Sequence, residues 1–255
     1  MASPIQISAV IITFNEQKNI ARCIQSLVGI ADEILIVDSF STDNTVTIAS
    51  DLGATVIQNT WQGYTQQKNF GNDKARFSWI LSLDADEAIS ENLKNNILKI
   101  KTHCTADAYS ISRLTNYCGH WIKYGDWYPD QKLRLWNKSK GQWQGMIHEE
   151  VNMSAGASTL TLKGDILHYS YYSIMEHVAQ MNKFTEQMAQ DNILKNKRAS
   201  LVKIICSPPV KFIKSYFLRL GFLDGFYGFV VAAMSANATF LKYMRTWELQ
   251  KQSND

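Results

Sequence analysis

Apolar strands and amphipathic helices alternate from the start of this chain, and this alternation constrains the fold more than any other feature. Residues 7–13 (ISAVIIT) and 33–38 (EILIVD) are β-branched apolar runs typical of buried strands. Helical spacing follows the first run, and further strands are predicted over 54–58 and 79–83. Strands joined through helices form parallel sheets with right-handed crossovers. The sequence therefore predicts an α/β fold with a mostly parallel sheet flanked by helices.

Short polar residues predict where the helices begin. Asn15, Asp43 and Ser90 are each expected to cap a helix, because their side chains accept hydrogen bonds from free backbone amides. A helix is also predicted over 66–75, although Gly71 inside it lowers the helix propensity of this segment.

The pattern changes in the second half of the chain. Strands are predicted over 109–114, 132–136 and 158–162, and the remainder reads as helical. We therefore expect two parts, residues 1–172 and a helical C-terminal extension over 173–255.

Composition excludes several classes of protein. Apolar residues make up 45% of the chain and the net charge is only +3, which excludes a disordered chain. The four cysteines are scattered without a CxxC pair, so we expect reduced thiols rather than a disulfide scaffold or a zinc site. The N-terminal residues show no secretory signal, which favours a cytoplasmic protein.

Polar clusters follow three of the predicted parallel strands. They are 13–16 (TFNE), 38–43 (DSFSTD) and 84–87 (DADE). Ligands of such sheets bind beyond the carboxyl ends of the strands. Asp84 and Asp86 form a DXD pair that suits Mg²⁺ or Mn²⁺ bridged to phosphate oxygens, although a solvated acidic turn is the alternative for this tripeptide alone.

The motifs together resemble a known family. "VIITFNEQKNIARCIQSL", "ADEILIVDSFSTDNTVTIASDLGATV", "QKNFGND" and "WILSLDADE", in this order, resemble glycosyltransferase family 2, the inverting nucleotide-sugar enzymes of GT-A fold. "KLRLWNKSKGQWQGMIHEEV" and "RLGFLDGFYGF" resemble a narrower branch, the bacterial lipopolysaccharide inner-core β-1,4-glucosyltransferases. The resemblance implies a GT-A, Rossmann-like catalytic domain over 1–172. It also implies a Mg²⁺- or Mn²⁺-dependent transfer of a hexose, glucose from UDP-glucose, to a heptose of the lipopolysaccharide core.

The resemblance also implies a nucleotide-sugar site. Its members are Thr13, Glu16, Asp38, Lys68, Asp84 and Asp86. Thr13 and Glu16 would line the nucleotide pocket, and Asp38 would hold the uracil or ribose. Asp84 would contact the ribose side, and Asp86 would coordinate the metal on the diphosphate. Lys68 would lie near the nucleotide, although the residues alone predict an exposed helix lysine there.

An inverting transfer needs a general base for the acceptor hydroxyl. The candidates lie in residues 146–151 (MIHEEV), where Glu149 is the predicted base. Glu150 would point elsewhere if this segment is extended. His148 would orient the acceptor or act as a metal or phosphate ligand. A solvated turn is the alternative for the whole segment.

Four further residues are candidates for the acceptor or phosphate site. Arg134 interrupts an apolar strand, so it either binds phosphate or pairs with a carboxylate such as Asp130. His168 would reach the diphosphate or metal, or else be a satisfied core histidine. Trp121 and Trp127, in an aromatic loop, would stack on sugar rings or form a local core.

The positive charges are concentrated near the C-terminus. Seven lie between Asp191 and Asp224 with no acidic residue among them, which leaves the rest of the chain at −4 against the total of +3. Aliphatic and aromatic neighbours favour contact of 195–219 with an anionic membrane, at the cytoplasmic face of the inner membrane. A core-packed helix pair is the alternative, and no nucleic-acid-binding module accompanies this segment. Pro208 and Pro209 are expected to break its helix.

Other functions remain open at this point. A family 2 enzyme acting on another cell-surface glycan is the main alternative. A nucleotidyltransferase is disfavoured, because the loop after the first strand is TFNE rather than glycine-rich and basic. A non-enzymatic adaptor at the membrane surface is disfavoured by the carboxylates of the predicted site.

Overall fold

The computed structural model describes residues 4–145 and 149–252. The chain divides into two compact units. The first runs to Arg113 and resumes from Asp130 to Tyr169, and the second comprises Leu114–Pro129 and the chain from Ser170 onward. The segment 114–129 thus groups with the C-terminal helices, while the functions assigned to the two parts stay predictions.

The elements alternate as follows. The strands are β1 Ile7–Thr13, β2 Glu33–Asp38, β3 Thr55–Gln58, β4 Trp79–Asp84, β5 Glu87–Ile89, β6 Ala108–Tyr117, β7 His120–Ile122, β8 Asp130–Asn137, β9 Gly141–Gln144, β10 Glu150–Met153 and β11 Thr159–Tyr171. The helices are α1 Ile20–Leu27, α2 Thr45–Asp51, α3 Tyr64–Lys74, α4 Glu91–Thr102, α5 Ile174–Leu194, α6 Leu201–Ile213 and α7 Gly225–Gln252. A π-helical turn, Lys214–Leu218, extends α6, and a 3₁₀ turn, Gly221–Asp224, precedes α7.

The predicted parallel sheet is present. β1 lies between β2 and β4, and β3 pairs with β2, all in parallel. β8 then pairs antiparallel with both β4 and β6, and β11 pairs antiparallel with β5. β9 and β10 form a separate antiparallel pair. The parallel half is the part whose strand ends meet at one edge.

Both faces of the central strand β1 are covered. All seven residues of β1 are buried. Ile7, Ala9 and Ile11 belong to one apolar cluster, whereas Val10 and Ile12 belong to another. Alternate side chains of a strand point to opposite faces, so β1 contributes to two cores and reads as a continuous apolar run.

Of the three predicted helix caps, Ser90 is the N-cap of α4, whereas Asp43 lies one residue before the N-cap of α2, Asn44. Ser90 Oγ accepts a hydrogen bond from the Leu93 amide at 3.3 Å, and Asp43 accepts one from the Thr45 amide at 2.9 Å. Asn15 does not cap α1. It adopts a positive φ of 54° in the turn after β1, and its side-chain oxygen instead accepts from the Thr42 amide.

Gly71 explains how α3 packs on the sheet. A Cβ at this position would lie 2.5 Å from Val10 Cγ1 and 2.8 Å from Val37 Cγ2. The glycine that weakened the helix prediction is therefore the residue that allows the helix to approach the strands closely.

We expect Gly71→Ala to lower the free energy of unfolding by about 1–2 kcal/mol. The added methyl group would meet two valine methyl groups closer than 3.0 Å, so its strain of about 2–3 kcal/mol, the upper part of the usual range, exceeds the gain in helix propensity of about 1 kcal/mol. Urea denaturation measures the difference. Asp73→Ala, at an exposed position of the same helix, is the control and should be neutral or slightly stabilising. Equal stability of Gly71→Ala and the parent protein would contradict this packing argument.

The second unit has an aromatic core. The Tyr117 hydroxyl lies 2.9 Å from His177 Nδ1, and the rings of Trp127, Tyr171 and Tyr227 pack around Tyr117. Burial lowers the pKa of His177 to about 4, so the imidazole is neutral at physiological pH.

This buried histidine predicts loss of stability in mild acid. Above its usual pKa of about 6.5, His177 is neutral in both the folded and unfolded chains and contributes no pH dependence. Below that value only the unfolded chain takes up the proton, so the free energy of unfolding falls by up to about 3 kcal/mol as the pH approaches 4. Denaturation at a series of pH values tests this, and His177→Phe should flatten the profile. An unchanged slope in that variant would assign the pH dependence to other groups.

The predicted break at Pro208 and Pro209 is wrong. α6 runs from Leu201 to Ile213 through both prolines. Each proline removes one amide donor and crowds the carbonyl four residues earlier, yet its fixed φ matches the helical value and the helix continues on both sides of the pair. The chain turns later, where Leu220 has a φ of 59°.

Seven α-helices lie within residues 4–145 and 149–252. None of these helices is by itself long and apolar enough to cross a bilayer. The pair Leu201–Leu218 and Gly221–Gln252 meets the length and composition requirements only together, and it is bent by 73°.

Candidate functional site

The three predicted polar clusters meet at one edge of the parallel sheet. In the strand register, Thr13 lies opposite Asp38 and Ile12 lies opposite Asp84. The carboxyl ends of β1, β2 and β4 therefore lie side by side, as the strand–helix alternation predicts.

The turn from Asp84 to Glu87 is fixed by a buried ion pair. Glu87, which is 1% exposed, accepts a hydrogen bond from the Asp84 amide at 2.9 Å. Its other carboxylate oxygen lies 2.9 Å from Arg134 Nη2, which is also 3.2 Å from Asp84 Oδ2. Arg134 thus holds both ends of the turn.

Arg134 pairs with carboxylates, but not with Asp130. Asp130 lies opposite Arg113 in the pairing of β6 and β8, and the two side chains form an ion pair at 2.8 Å. Four residues further along β8, Arg134 lies beside the end of β4, so its partners are Asp84 and Glu87. Glu87 is a structural member of the site that the sequence analysis did not single out.

Lys68 lies between Asp84 and Glu149 in the candidate site. It is 2% exposed, which corrects the residue-based expectation of a surface lysine. Its Nζ lies 3.2 Å from Asp84 Oδ1 and 3.3 Å from Glu149 Oε1. It also lies 4.4 Å from the centroid of the Trp143 ring. The predicted nucleotide residue and the predicted base therefore share one buried cation.

Hydrogen bonds join α3 and β9 next to this lysine. Asn69 donates to the Trp143 carbonyl at 2.9 Å and accepts from the Trp143 amide at 3.1 Å. Thr65 Oγ1 donates to the Gly145 carbonyl. These bonds fix the start of the segment that leads to Glu149. His148 lies outside the described residues.

The electrostatics of the site favour ionised carboxylates at its centre. Burial by itself raises the pKa of Asp84, but Lys68 and Arg134 outweigh burial and hold that pKa well below its usual range. The guanidinium pKa of Arg134 is raised despite burial, because Glu87, Asp84 and Glu149 face it. Burial, together with the charge of Asp86, raises the pKa of Glu16, while a hydrogen bond from Asn19 opposes that rise.

Asp86 and His168 form the exposed part of the site. Asp86 Oδ2 lies 3.1 Å from His168 Nε2, and the carboxylate is 27% exposed. The described residues contain no cluster of three or more His, Cys, Asp or Glu side chains able to hold a metal ion. Two donors suit Mg²⁺ or Mn²⁺ that takes its other ligands from substrate and water. Asp86 and His168 therefore fit the implied cation, whereas the Asp84 carboxylate is held by Lys68 and Arg134.

Thr13 and Asp38 line the same edge in different ways. Thr13 Oγ1 is buried and has no hydrogen-bond partner within residues 4–145 and 149–252, so it is free for a ligand. Asp38 is fully buried and accepts from the Ser41 amide at 2.9 Å and from Gln58 Nε2 at 3.3 Å. Its carboxylate thus fixes the loop after β2, and its predicted contact with uracil or ribose stays a prediction.

Two aromatic residues that the sequence did not point to, Tyr64 and Trp61, pack together beside the site. Tyr64 lies one helical turn before Lys68, and burial together with the charges of Asp84 and Glu149 raises its pKa. The residue is nevertheless 52% exposed, and its ring packs edge-to-face against Trp61. Tyr64 precedes Lys68 by four residues, so the two lie on the same face of α3, and this spacing could have identified Tyr64 from the sequence.

The predicted sugar-stacking tryptophans belong to the second unit. Trp127 packs against Tyr117, Tyr171 and His177 in the aromatic core, and Trp121 lies in β7. Their contact with an acceptor stays a prediction.

Comparisons with known proteins agree with these features. The model of Glycosyl transferase family 2 matches residues 8–153. An uncharacterized glycosyltransferase of Rickettsia bellii is 35% identical over 98% of this chain and 88% of its own length. The lipopolysaccharide core biosynthesis glycosyltransferase LpsC of Rhizobium meliloti is 27% identical over 97% of this chain and 94% of its own length.

A solved structure shows the same fold. The mannosyltransferase PcManGT of Pyrobaculum calidifontis, in complex with GDP-Man and Mn²⁺, superimposes with a TM-score of 0.56 at 12% identity. The alignment covers 97% of this chain and 88% of that one. The predicted GT-A sheet with flanking helices and a C-terminal helical extension is confirmed. The family match and the near full-length relatives show that the chain belongs to glycosyl transferase family 2.

Proposed function

We propose that this protein is an inverting, divalent-cation-dependent glycosyltransferase that moves glucose from UDP-glucose to a heptose of the lipopolysaccharide core. The observation that carries the reaction type is the convergence of Glu149, Lys68 and Asp84 at the edge that also bears Asp86. The acceptor class is supported by similarity to LpsC along nearly the whole chain.

Glu149 is the general base of the proposed reaction. Its carboxylate takes the proton of the acceptor hydroxyl as that oxygen attacks the anomeric carbon, on the face opposite the diphosphate. The bond between the anomeric carbon and the diphosphate breaks in the same step, and UDP leaves. Lys68, 3.3 Å from Glu149, holds the carboxylate in place and separates it from Asp84.

The donor is held at the edge of the parallel strands. Asp86 and His168 would hold the Mg²⁺ or Mn²⁺, which when bound would supply positive charge to the departing diphosphate. Thr13 and Glu16 line the nucleotide pocket, and the fixed loop after Asp38 shapes its far side. Arg134 keeps the Asp84 turn in position through Glu87.

Transfer to the lipopolysaccharide core would take place at the cytoplasmic face of the inner membrane. The basic segment 195–219 would contact that surface peripherally. No nucleic-acid partner is expected.

The decisive experiment is mass spectrometry of products formed from several UDP-sugars and isolated core acceptors. Addition of one hexose to a heptose-bearing core, from UDP-glucose in preference to other donors, supports the proposal. Transfer to a different glycan would retain the family activity and replace the acceptor. A thermal-shift series of nucleotides with and without Mn²⁺ separates the enzyme from an adaptor, because an adaptor shows no UDP-dependent stabilisation.

Tyr64→Ala is expected to raise the KM for the acceptor by about fivefold with a smaller change in kcat. The exposed ring lies beside the proposed base, where an aromatic face stacks on a sugar ring and contributes about 1 kcal/mol. Steady-state kinetics with each substrate varied in turn measure this split. Tyr64→Phe keeps the ring and should behave as the parent enzyme. A change confined to the KM for UDP-glucose would move Tyr64 to the donor side.

A further inference from the structure

The turn between α6 and α7 exposes an unusual run of large apolar side chains. We name residues 217–226 the elbow, since the helices on its two sides are bent by 73°. Its exposed apolar members are Phe217, Leu218, Leu220, Phe222, Leu223 and Phe226, each between 43% and 74% exposed. Most soluble surfaces scatter such residues singly rather than concentrating them in ten positions.

The elbow is a built structure and not a frayed end. A Cβ on Gly228 would lie 1.9 Å from the Gly221 carbonyl oxygen, so the elbow closes tightly on the start of α7. The buried carboxylate of Asp224 accepts from the Lys123 amide at 3.0 Å and the Tyr124 amide at 2.9 Å. The apolar side chains are therefore held outward by packing and hydrogen bonds beneath them.

The charges around the elbow differ from those predicted from the sequence. Lys211 and Arg219 both pair with Asp126, at 2.5 Å and 2.7 Å, so part of the basic stretch is already neutralised. Lys203 and Lys214 are exposed, and neither forms an ion pair within the described part of the chain. The electrostatic attraction of this segment to an anionic surface is consequently weaker than seven unpaired positive charges would give.

An apolar groove continues along the two helices that meet at the elbow. It has a volume of about 660 Å³ and lies between α6 and α7, lined by Ile204, Pro208, Phe212, Ala236 and Phe240 among others. The apolar surface thus extends beyond the turn itself.

We propose that the elbow inserts its apolar side chains into the acyl-chain boundary of an anionic bilayer, with Lys214 among the headgroups. Interfacial helical segments bury apolar residues about 5–10 Å deep in this way, and anionic lipids supply the complementary charge. A second copy of the chain is a poorer partner. The elbow of a second copy would offer Lys214 no exposed acid, because Asp224, the one carboxylate within residues 217–226, is buried.

Vesicle co-sedimentation tests the insertion. The full chain is incubated with phosphatidylcholine vesicles, with and without phosphatidylglycerol, at low and high salt. Binding should require the anionic lipid for full strength but should persist in part at high salt, because apolar burial is not screened. The double variant Leu218→Gln/Leu223→Gln should bind at least about tenfold more weakly, since two exposed leucines no longer enter the acyl region.

Matched controls separate insertion from misfolding and from loss of charge. Leu194→Gln changes an equally exposed leucine, 77% exposed, outside the elbow and should bind as the parent protein does. Lys214→Gln should reduce binding mainly at low salt. Far-ultraviolet circular dichroism and UDP binding should be unchanged in all three variants.

Three results would overturn the proposal: no vesicle binding by the parent protein, full binding by the double leucine variant, or binding that high salt abolishes completely. A concentration-dependent dimer that the leucine variants disrupt, without vesicle binding, would assign the elbow to self-association instead. None of these readouts uses glycosyl transfer, so failure here leaves the proposed reaction untouched.

Discussion

Asp86→Asn is expected to slow glycosyl transfer by about a thousandfold or more in single-turnover assays, equivalent to about 4 kcal/mol of transition-state stabilisation. The amide has the same size as the carboxylate but lacks the charge that binds a divalent cation next to the diphosphate. Asp86 lies outside the buried ion pairs of Arg134, and its carbonyl still accepts from the Tyr169 amide at 2.9 Å. The variant should therefore fold.

A binding measurement accompanies this assay. UDP with Mn²⁺ should raise the melting temperature of the parent protein more than UDP alone, and Asp86→Asn should lose that Mn²⁺-dependent part. Asp73→Asn, on the exposed face of α3, serves as the control and should keep both transfer and stabilisation. Parent-like transfer by Asp86→Asn would show that another residue holds the cation.

The parallel half of the fold could be predicted because its signals are local. Runs such as 7–13 and 33–38 are apolar along their middle and show no polar alternation, since strands covered on both faces need none. Their carboxyl ends must share one sheet edge, so the proximity of Asp38 and Asp84 to Thr13 followed from topology alone.

The ion pairs of the site could not be predicted, because they depend on the register of strands far apart in the chain. Arg134 meets Glu87 across 47 residues, and Lys68 meets Glu149 across 81. Nothing in the local pattern of β8 tells which residue lies beside the end of β4. The choice of Asp130 for Arg134 failed for this reason.

Lys68 shows a second limit of sequence patterns. A lysine in a polar helix is normally solvated, and only the carboxylates supplied by β4 and the segment before β10 make its burial favourable. The prolines of α6 show a third limit. Whether they interrupt the helix depends on how much the other contacts of that helix stabilise it, and residue type alone does not tell this.

Glu149→Gln is expected to lower kcat by about 10²–10⁴, the usual contribution of a positioned general base. Glutamine keeps the shape of the side chain but cannot take the proton of the acceptor hydroxyl. UDP binding should persist, because Lys68 remains paired with Asp84 at 3.2 Å when the second carboxylate is removed.

Glu150→Gln is the matched control, since Glu150 is the neighbouring carboxylate, is exposed and begins β10. Full activity in Glu150→Gln together with collapse in Glu149→Gln would place the base at the carboxylate that Lys68 holds. The reverse outcome would transfer the role to Glu150. Loss of UDP binding in Glu149→Gln would instead make Glu149 a donor-site residue, because a base for the acceptor hydroxyl has no contact with the nucleotide. The pair of substitutions thus separates proton transfer from nucleotide binding at two adjacent residues of one segment.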